Sequence, residues 1–305
     1  MKKIVILGAS GYIGSYLANY LQNSHDIYCH SRKKIQKIRH SKNILGDIKK
    51  KKIISEILKI VPDIIIYTIS LNHFDSEKNK KRSIENNYKP LSKLVDQIKK
   101  KKLKTKIIYF STMQVYGREL KKKLINEKTQ KKINNIYSLT HSMCEDLLLK
   151  NHKKVNSCSL RLSNTYGMPI LKKINCWWLV INDFCKSAIN YKKIIINSDG
   201  TAQRDFISLN DLCSFVDILI KKKRFIYPIV NVCSGKTVSI KNLAYLISRN
   251  YFFKKKVKVI IKEKSYKKYK QFKYDNTLMR KLGFKKISNF DKNIFNFLRI
   301  LKAKK

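Results

Sequence analysis

Near its start the chain runs from a four-residue apolar stretch, Ile4-Val5-Ile6-Leu7, straight into glycines at positions 8, 11 and 14. The unbroken apolar run predicts a short strand buried on both faces. Beyond the glycines, Tyr16, Leu17, Tyr20 and Leu21 return at helical spacing. Gly8 permits a tight turn, Gly11 lets the backbone come close to a pyrophosphate, and Gly14 lets helix and strand pack closely. With Ser10, Tyr12 and Ile13 between them, these residues make an expected phosphate cradle whose anion rests on amides of the helix N-terminus. A glycine-rich turn before a helix without any ligand has the same appearance, so the rest of the chain must decide.

The strand–helix alternation continues. Asp26-Ile27-Tyr28-Cys29-His30 reads as a second strand, whose end should meet an adenosine ribose. An acidic residue there would bond the 2′-hydroxyl of NAD(H). This chain has Ser31-Arg32-Lys33-Lys34 instead, a hydroxyl and three cations that suit a 2′-phosphate, which favours NADP(H) over NAD(H). Lysine is everywhere in the chain and arginine is scarce, so Arg32 carries that argument. After the short strand at 43–45, Gly46-Asp47 is either a simple turn or the place where Asp47 accepts a bond from an adenine amino group. Residues 49–61 predict a Lys-rich amphipathic helix, and Ile64 to Ser70 another buried strand. A long helix over 83–100, carrying Asn86, Asn87 and Pro90, precedes the strand at 106–110. That strand ends in Ser111-Thr112-Met113-Gln114-Val115-Tyr116-Gly117, and Tyr137 opens the next helix. Such repetition argues for a parallel sheet with right-handed crossovers. Hydroxyls at the carboxyl ends of its strands lie where ligands bind.

Composition bounds the partners. A chain of 305 residues, 43% hydrophobic, can hold one large α/β domain and a smaller one. The formal charge of +48 is spread over the whole length, which points to solvated helix faces and to no nucleic-acid partner. A basic surface still attracts an anionic substrate. The seven cysteines are odd in number, form no CxxC and lie mostly in apolar runs, as reduced core residues of a cytoplasmic protein do. No stretch reaches the ~18 apolar residues of a membrane span, and Gly8 ends the first apolar run too early for a signal peptide. No set of metal ligands is read.

Taken in order, the motifs resemble those of the extended short-chain dehydrogenase/reductase family, in its nucleotide-sugar epimerase/dehydratase branch. The landmarks are Gly8 to Gly14, Gly46-Asp47, Asn87, Ser111-Thr112 with Val115-Tyr116-Gly117, and Tyr137 with its partner four residues on. They continue through Leu160-Arg161-Leu162-Ser163-Asn164-Thr165-Tyr166-Gly167, Gly200 to Ile207 with Arg204, Asn231 to Gly235, and Lys281-Leu282-Gly283-Phe284. The resemblance implies a Rossmann-type doubly wound parallel sheet over 1–167, to which the chain returns near 203–235. Residues 168–305 would mainly form a smaller mixed α/β substrate domain, with a helix that carries Trp177-Trp178 over the substrate. It implies cofactor contacts from the glycine turn and from Ser31, Arg32, Asp47, Ile48, Thr68, Ile69, Ser70, Asn87, Tyr137 and His141. Thr112 and Tyr137 would hold the sugar oxygen at the carbon exchanging hydride, with Tyr137 as acid/base. Asn164 would touch the substrate diphosphate, and the Arg204 guanidinium would pair with it. A homodimer built on two long helices is also implied, although Lys-rich faces near 93–104 speak against that interface.

Two departures narrow the chemistry. The family carries Lys four residues after the Tyr, where its charge lowers the Tyr pKa; this chain has His141. A neutral imidazole leaves Tyr137 protonated, a competent acid for reducing a ketone and a poor base for oxidising an alcohol. The expectation is therefore a reductase or 4-epimerase, or else a cofactor-binding regulator or scaffold that has lost turnover. Dehydratases of the family place acidic residues beside the Thr, where this chain has Met113-Gln114, so dehydration is disfavoured.

Overall fold

The computed structural model describes residues 1–35, 38, 40–117, 123–250, 252–253, 256–263 and 272–303. Seven parallel strands form the central sheet, in the spatial order Ile229–Val232, Ser157–Leu162, Lys106–Thr112, Ile64–Tyr67, Lys3–Leu7, Asp26–Ser31 and Ser41–Leu45. The order reverses between Lys3–Leu7 and Ile64–Tyr67, which makes their carboxyl ends the switch point of a Rossmann-type doubly wound sheet, as expected.

The unbroken apolar strands are explained by burial on both faces. Ile4 and Ile6 point with Ile64, Ile66, Ile108 and Phe110 towards helices Tyr12–Leu21 and Leu209–Lys221. Val5 and Leu7 point with Ile65, Tyr67, Ile107 and Tyr109 towards helices Lys51–Lys59, Lys89–Lys100 and Ile136–Lys150. The long helix expected over 83–100 is interrupted. Residues Ile84–Tyr88 form a π turn, and Pro90 then starts a regular helix in its first turn, where its missing N–H costs nothing.

A separate apolar cluster joins helix Val180–Tyr191 to helices Ile240–Ser248 and Phe290–Ala303. Beside it lie the parallel pair Lys193–Ile196 with Lys258–Ile261 and a three-stranded sheet, Thr237–Ser239, Gln203–Ser208 and Asn164–Tyr166. The helix expected to carry Trp177-Trp178 begins only at Val180; the two indoles sit in the turn before it. Ser239 caps helix Ile240–Ser248 through its bond from the Asn242 N–H, at 3.1 Å. All seven cysteines are buried and free. Among the described residues no helix is long and apolar enough to cross a membrane.

Candidate active site

A cleft of about 2080 Å³ runs along the carboxyl ends of the central strands. A drug-sized ligand needs about 300–1,000 Å³, so this one has room for a dinucleotide and a second large molecule. At one end Gly8, at φ +88°, makes the turn out of the first strand. A Cβ on Gly14 would lie 2.3 Å from the Gly8 carbonyl oxygen, which is why only glycine allows this packing. Hydrogen bonding of the following helix begins with Ser15 N–H to the Gly11 carbonyl, at 3.0 Å. Gly11 supplies no side-chain cap, so the first-turn amides remain open to an anion. This cradle fits the pyrophosphate of a nicotinamide dinucleotide.

Several expected cofactor residues line the cleft: Ser10, Gly11, Tyr12, Ile13, Gly14, Arg32, Thr68, Ser70, Tyr137 and His141. Others stand behind it. Ser31 is buried and donates its hydroxyl hydrogen to the Lys33 carbonyl, which leaves Arg32, Lys33 and Lys34 as the groups facing the cleft. Asp47 accepts from the Lys49 N–H at 2.9 Å and pairs with the Lys49 ammonium at 3.6 Å. Ile48 belongs to the core beneath, and Ile69 packs against that core. Asn87 braces the site. Its Oδ1 accepts from the Leu71 N–H at 2.8 Å, and its Nδ2 donates to Thr140 Oγ1 at 3.0 Å. It thereby ties the segment after strand Ile64–Tyr67 to the helix that carries Tyr137.

That helix starts at an Asn135 cap, whose Oδ1 accepts from the Ser138 N–H at 2.7 Å. Glu77 accepts from the Tyr137 N–H at 3.1 Å, a contact the sequence did not signal. Tyr137 and Thr112 line the same floor of the cleft. Burial pushes the Tyr137 phenol up to about 12, and the facing Thr112 side chain lowers it in part. The Thr112 oxygen itself accepts from the Gln114 N–H at 3.2 Å, which fixes its rotamer.

His141 packs edge-on to Tyr137, with ring centroids 4.5 Å apart. Its Nδ1 lies 2.7 Å from the Tyr109 hydroxyl and its Nε2 3.3 Å from Ser70 Oγ. Ser70 donates its own hydrogen to the Leu71 carbonyl at 2.8 Å, so it accepts from His141. The proton of the imidazole is therefore on Nε2, and Nδ1 accepts from Tyr109. Burial pulls the His141 pKa down to about 3. At neutral pH the ring is uncharged, and among the described residues His141 itself occupies the position of the family Lys.

Beneath the floor, Arg161 and Glu145 form a buried bidentate pair, Nε–Oε1 3.0 Å and Nη2–Oε2 2.7 Å. Ser111 Oγ donates to the same Glu145 oxygen at 2.6 Å. The pair locks the end of strand Lys106–Thr112 against the Tyr137 helix. At the other end of the cleft, Asn164 donates to the Asp205 carbonyl at 2.9 Å and Arg204 to the Gln203 carbonyl at 2.8 Å, both side chains being exposed to the cleft. The Asp205 carboxylate is buried and accepts from Ser234 and Lys236. Lys172, Lys173, Trp178 and Tyr274 also line this end. Scattered lysines hid the first two, and nothing in the local sequence singles out Tyr274.

Comparison with known proteins agrees with this geometry. The chain is 29% identical over 249 residues to a dTDP-D-glucose 4,6-dehydratase of Dictyostelium discoideum, covering 73% of this chain and 56% of that protein. It is 25% identical over 240 residues to an Arabidopsis thaliana trifunctional UDP-glucose 4,6-dehydratase/3,5-epimerase/reductase, covering 72% and 35%. The chain thus spans about half or less of the length of these relatives. Its fold matches a UDP-N-acetylglucosamine 4-epimerase of Methanobrevibacter ruminantium at TM-score 0.86 and 21% identity, over 100% of this chain and 99% of the other. It also matches a UDP-glucose 4-epimerase of Thermotoga maritima at TM-score 0.84 and 17% identity, over 99% of each. Residues 4–233 match the model of the NAD-dependent epimerase/dehydratase family. On that match, over most of its length, the chain belongs to this family.

Proposed function

We propose that the protein is an NADP(H)-linked oxidoreductase acting at C4 of a nucleotide-activated hexose, by 4-ketoreduction or 4-epimerisation. The observation that carries this reading is the uncharged His141 beside Tyr137, whose phenol burial keeps protonated. When bound, the nicotinamide cofactor supplies or accepts the hydride. The phenol of Tyr137 gives its proton to the oxygen formed as a C4 ketone is reduced, and Thr112 orients that oxygen. Arg32, Lys33 and Lys34 support the 2′-phosphate preference, since all three line the cradle end of the cleft. At the far end Arg204 and Asn164 are offered to the substrate diphosphate, the guanidinium as a bidentate donor. His141 holds Ser70 and Tyr109 in place and brings no charge to Tyr137, which stays protonated at neutral pH as the acid for ketone reduction. Met113 is buried and Gln114 faces the cleft; neither ionises, which speaks against dehydration although a dehydratase is among the relatives. We also propose a homodimer in the cytoplasm, a setting that seven free, buried cysteines suit. Equilibrium titration with NADPH and NADH tests the cofactor; tighter binding of NADH would overturn the Arg32 argument.

A further inference from the structure

Tyr137 is not the end of the aromatic row. His73 lines the cleft edge-on to Tyr137, centroids 6.1 Å apart at 84°. Phe74 follows at 5.8 Å and 69° from His73, and Trp178 at 5.7 Å and 83° from Phe74. Phe74 comes from the short helix His73–Glu77, after the fourth strand of the central sheet. Trp178 comes from the turn before helix Val180–Tyr191, in the other cluster of elements. Their contact therefore joins Trp178, which lines the cleft, to the helix that carries the lining residue His73. Both rings are left exposed, Phe74 at 60% and Trp178 at 48%. The neighbouring Trp177 differs: it packs on the C-terminal core, with Lys186 over its ring at 4.8 Å. The Trp178 indole is tied down by its Nε1–H to the Asn175 carbonyl, at 3.2 Å. Trp178 lines the cleft and Phe74 stands next to the lining residue His73, and two large half-bare aromatics so placed need an apolar partner to cover them.

A hexose has such a surface. Its hydroxyls lie around the rim while its C–H bonds crowd onto the ring faces, and an aromatic wall takes the C–H face. A nucleoside diphosphate without the sugar has nothing to place there. We propose that Phe74 and Trp178 form an aromatic clasp over the reacting sugar, which makes Trp178 a specificity-determining residue for the carbohydrate. This rests on the nucleotide-sugar reading of the cleft.

The test uses full-length protein loaded with NADPH and titrated with UDP-glucose, dTDP-glucose and the parent diphosphates UDP and dTDP. The variants are Trp178→Ala and Phe74→Ala, with Trp178→Phe as the conservative control; the exposure of both rings makes misfolding a minor concern. Each alanine should cut the affinity gap between a sugar nucleotide and its own diphosphate by about 3–10-fold. Trp178→Phe should restore most of the gap, and binding of the diphosphates and of NADPH should stay level. An unchanged gap, or equal weakening of sugar nucleotide and diphosphate, overturns the clasp alone. If the unaltered protein shows no such gap, the nucleotide-sugar reading falls as well, and the clasp with it.

Discussion

Replacing His141 by lysine puts back the charge that the family uses and this chain lacks. The two rings are 4.5 Å apart, and an ammonium taken at about 5 Å from the phenol oxygen sets the scale of the effect. At an effective dielectric of about 20 this is worth about 3 kcal/mol, or roughly two pKa units. The Tyr137 phenol, now pushed up to about 12, should fall to near ~10. The phenolate fraction at pH 7 then rises about 100-fold, and a weaker base returns part of that gain. Oxidation of the C4 alcohol should therefore quicken about 10–100-fold at neutral pH, and the gain should close as pH passes the new pKa. Reduction should quicken by a similar factor at pH 7, through the more acidic phenol, because the equilibrium at fixed pH is unchanged. NADPH formation followed by absorbance across a pH series measures this. The variant also strands the buried Tyr109 hydroxyl, at a cost of about 1–3 kcal/mol of stability. Adding Tyr109→Phe removes that complication. An unchanged pH profile in both variants, together with a nearly harmless Tyr137→Phe, would refute the pairing of these residues.

Further expectations concern stability and cofactor choice. His141 has a folded pKa near about 3, below its unfolded value of about 6.5, so the unfolded chain binds the extra proton. Stability should be full above pH ~6.5 and fall as pH drops towards ~3, by up to about 1.4 kcal/mol per pH unit, and His141→Gln should flatten that slope in urea titrations. Glu145→Ala leaves the buried Arg161 charge unpaired and should cost about 3–5 kcal/mol by chemical denaturation; a loss below ~1 kcal/mol would contradict the buried pair. Tyr12→Phe loses a bond to the Gly167 carbonyl at 2.7 Å and one from Asn182 at 3.1 Å, and should lower stability by about 1–3 kcal/mol. Arg32→Ala should weaken NADPH about 10–100-fold and NADH little, as direct titration would show.

The sheet was legible because its strands are buried on both faces, and Ile4–Leu7 or Ile64–Tyr67 has no polar residue to confuse the pattern. Motif spacing singles out Tyr137, Thr112 and His141, and all three line one cleft. What His141 does there was not legible. Its tautomer depends on Ser70 and Tyr109, residues 71 and 32 positions away, whose bonds only the folded chain defines. Asn87 shows the same limit: a side chain read as a cofactor contact spends its bonds on Leu71 and Thr140. The far end of the cleft was obscured by composition, since Lys172 and Lys173 look like every other lysine pair in the chain.

The central claim is tested most directly by incubating the protein and its Tyr137→Phe variant with UDP-, GDP-, dTDP- and CDP-hexoses plus NADP+, and with their 4-keto forms plus NADPH. Chromatography with mass detection then reads each product. The account predicts a sugar nucleotide that gains two hydrogens, or one that changes retention at constant mass, made by the unaltered protein and nearly absent with Tyr137→Phe. Loss of water from the substrate, or turnover that survives Tyr137→Phe, would contradict it.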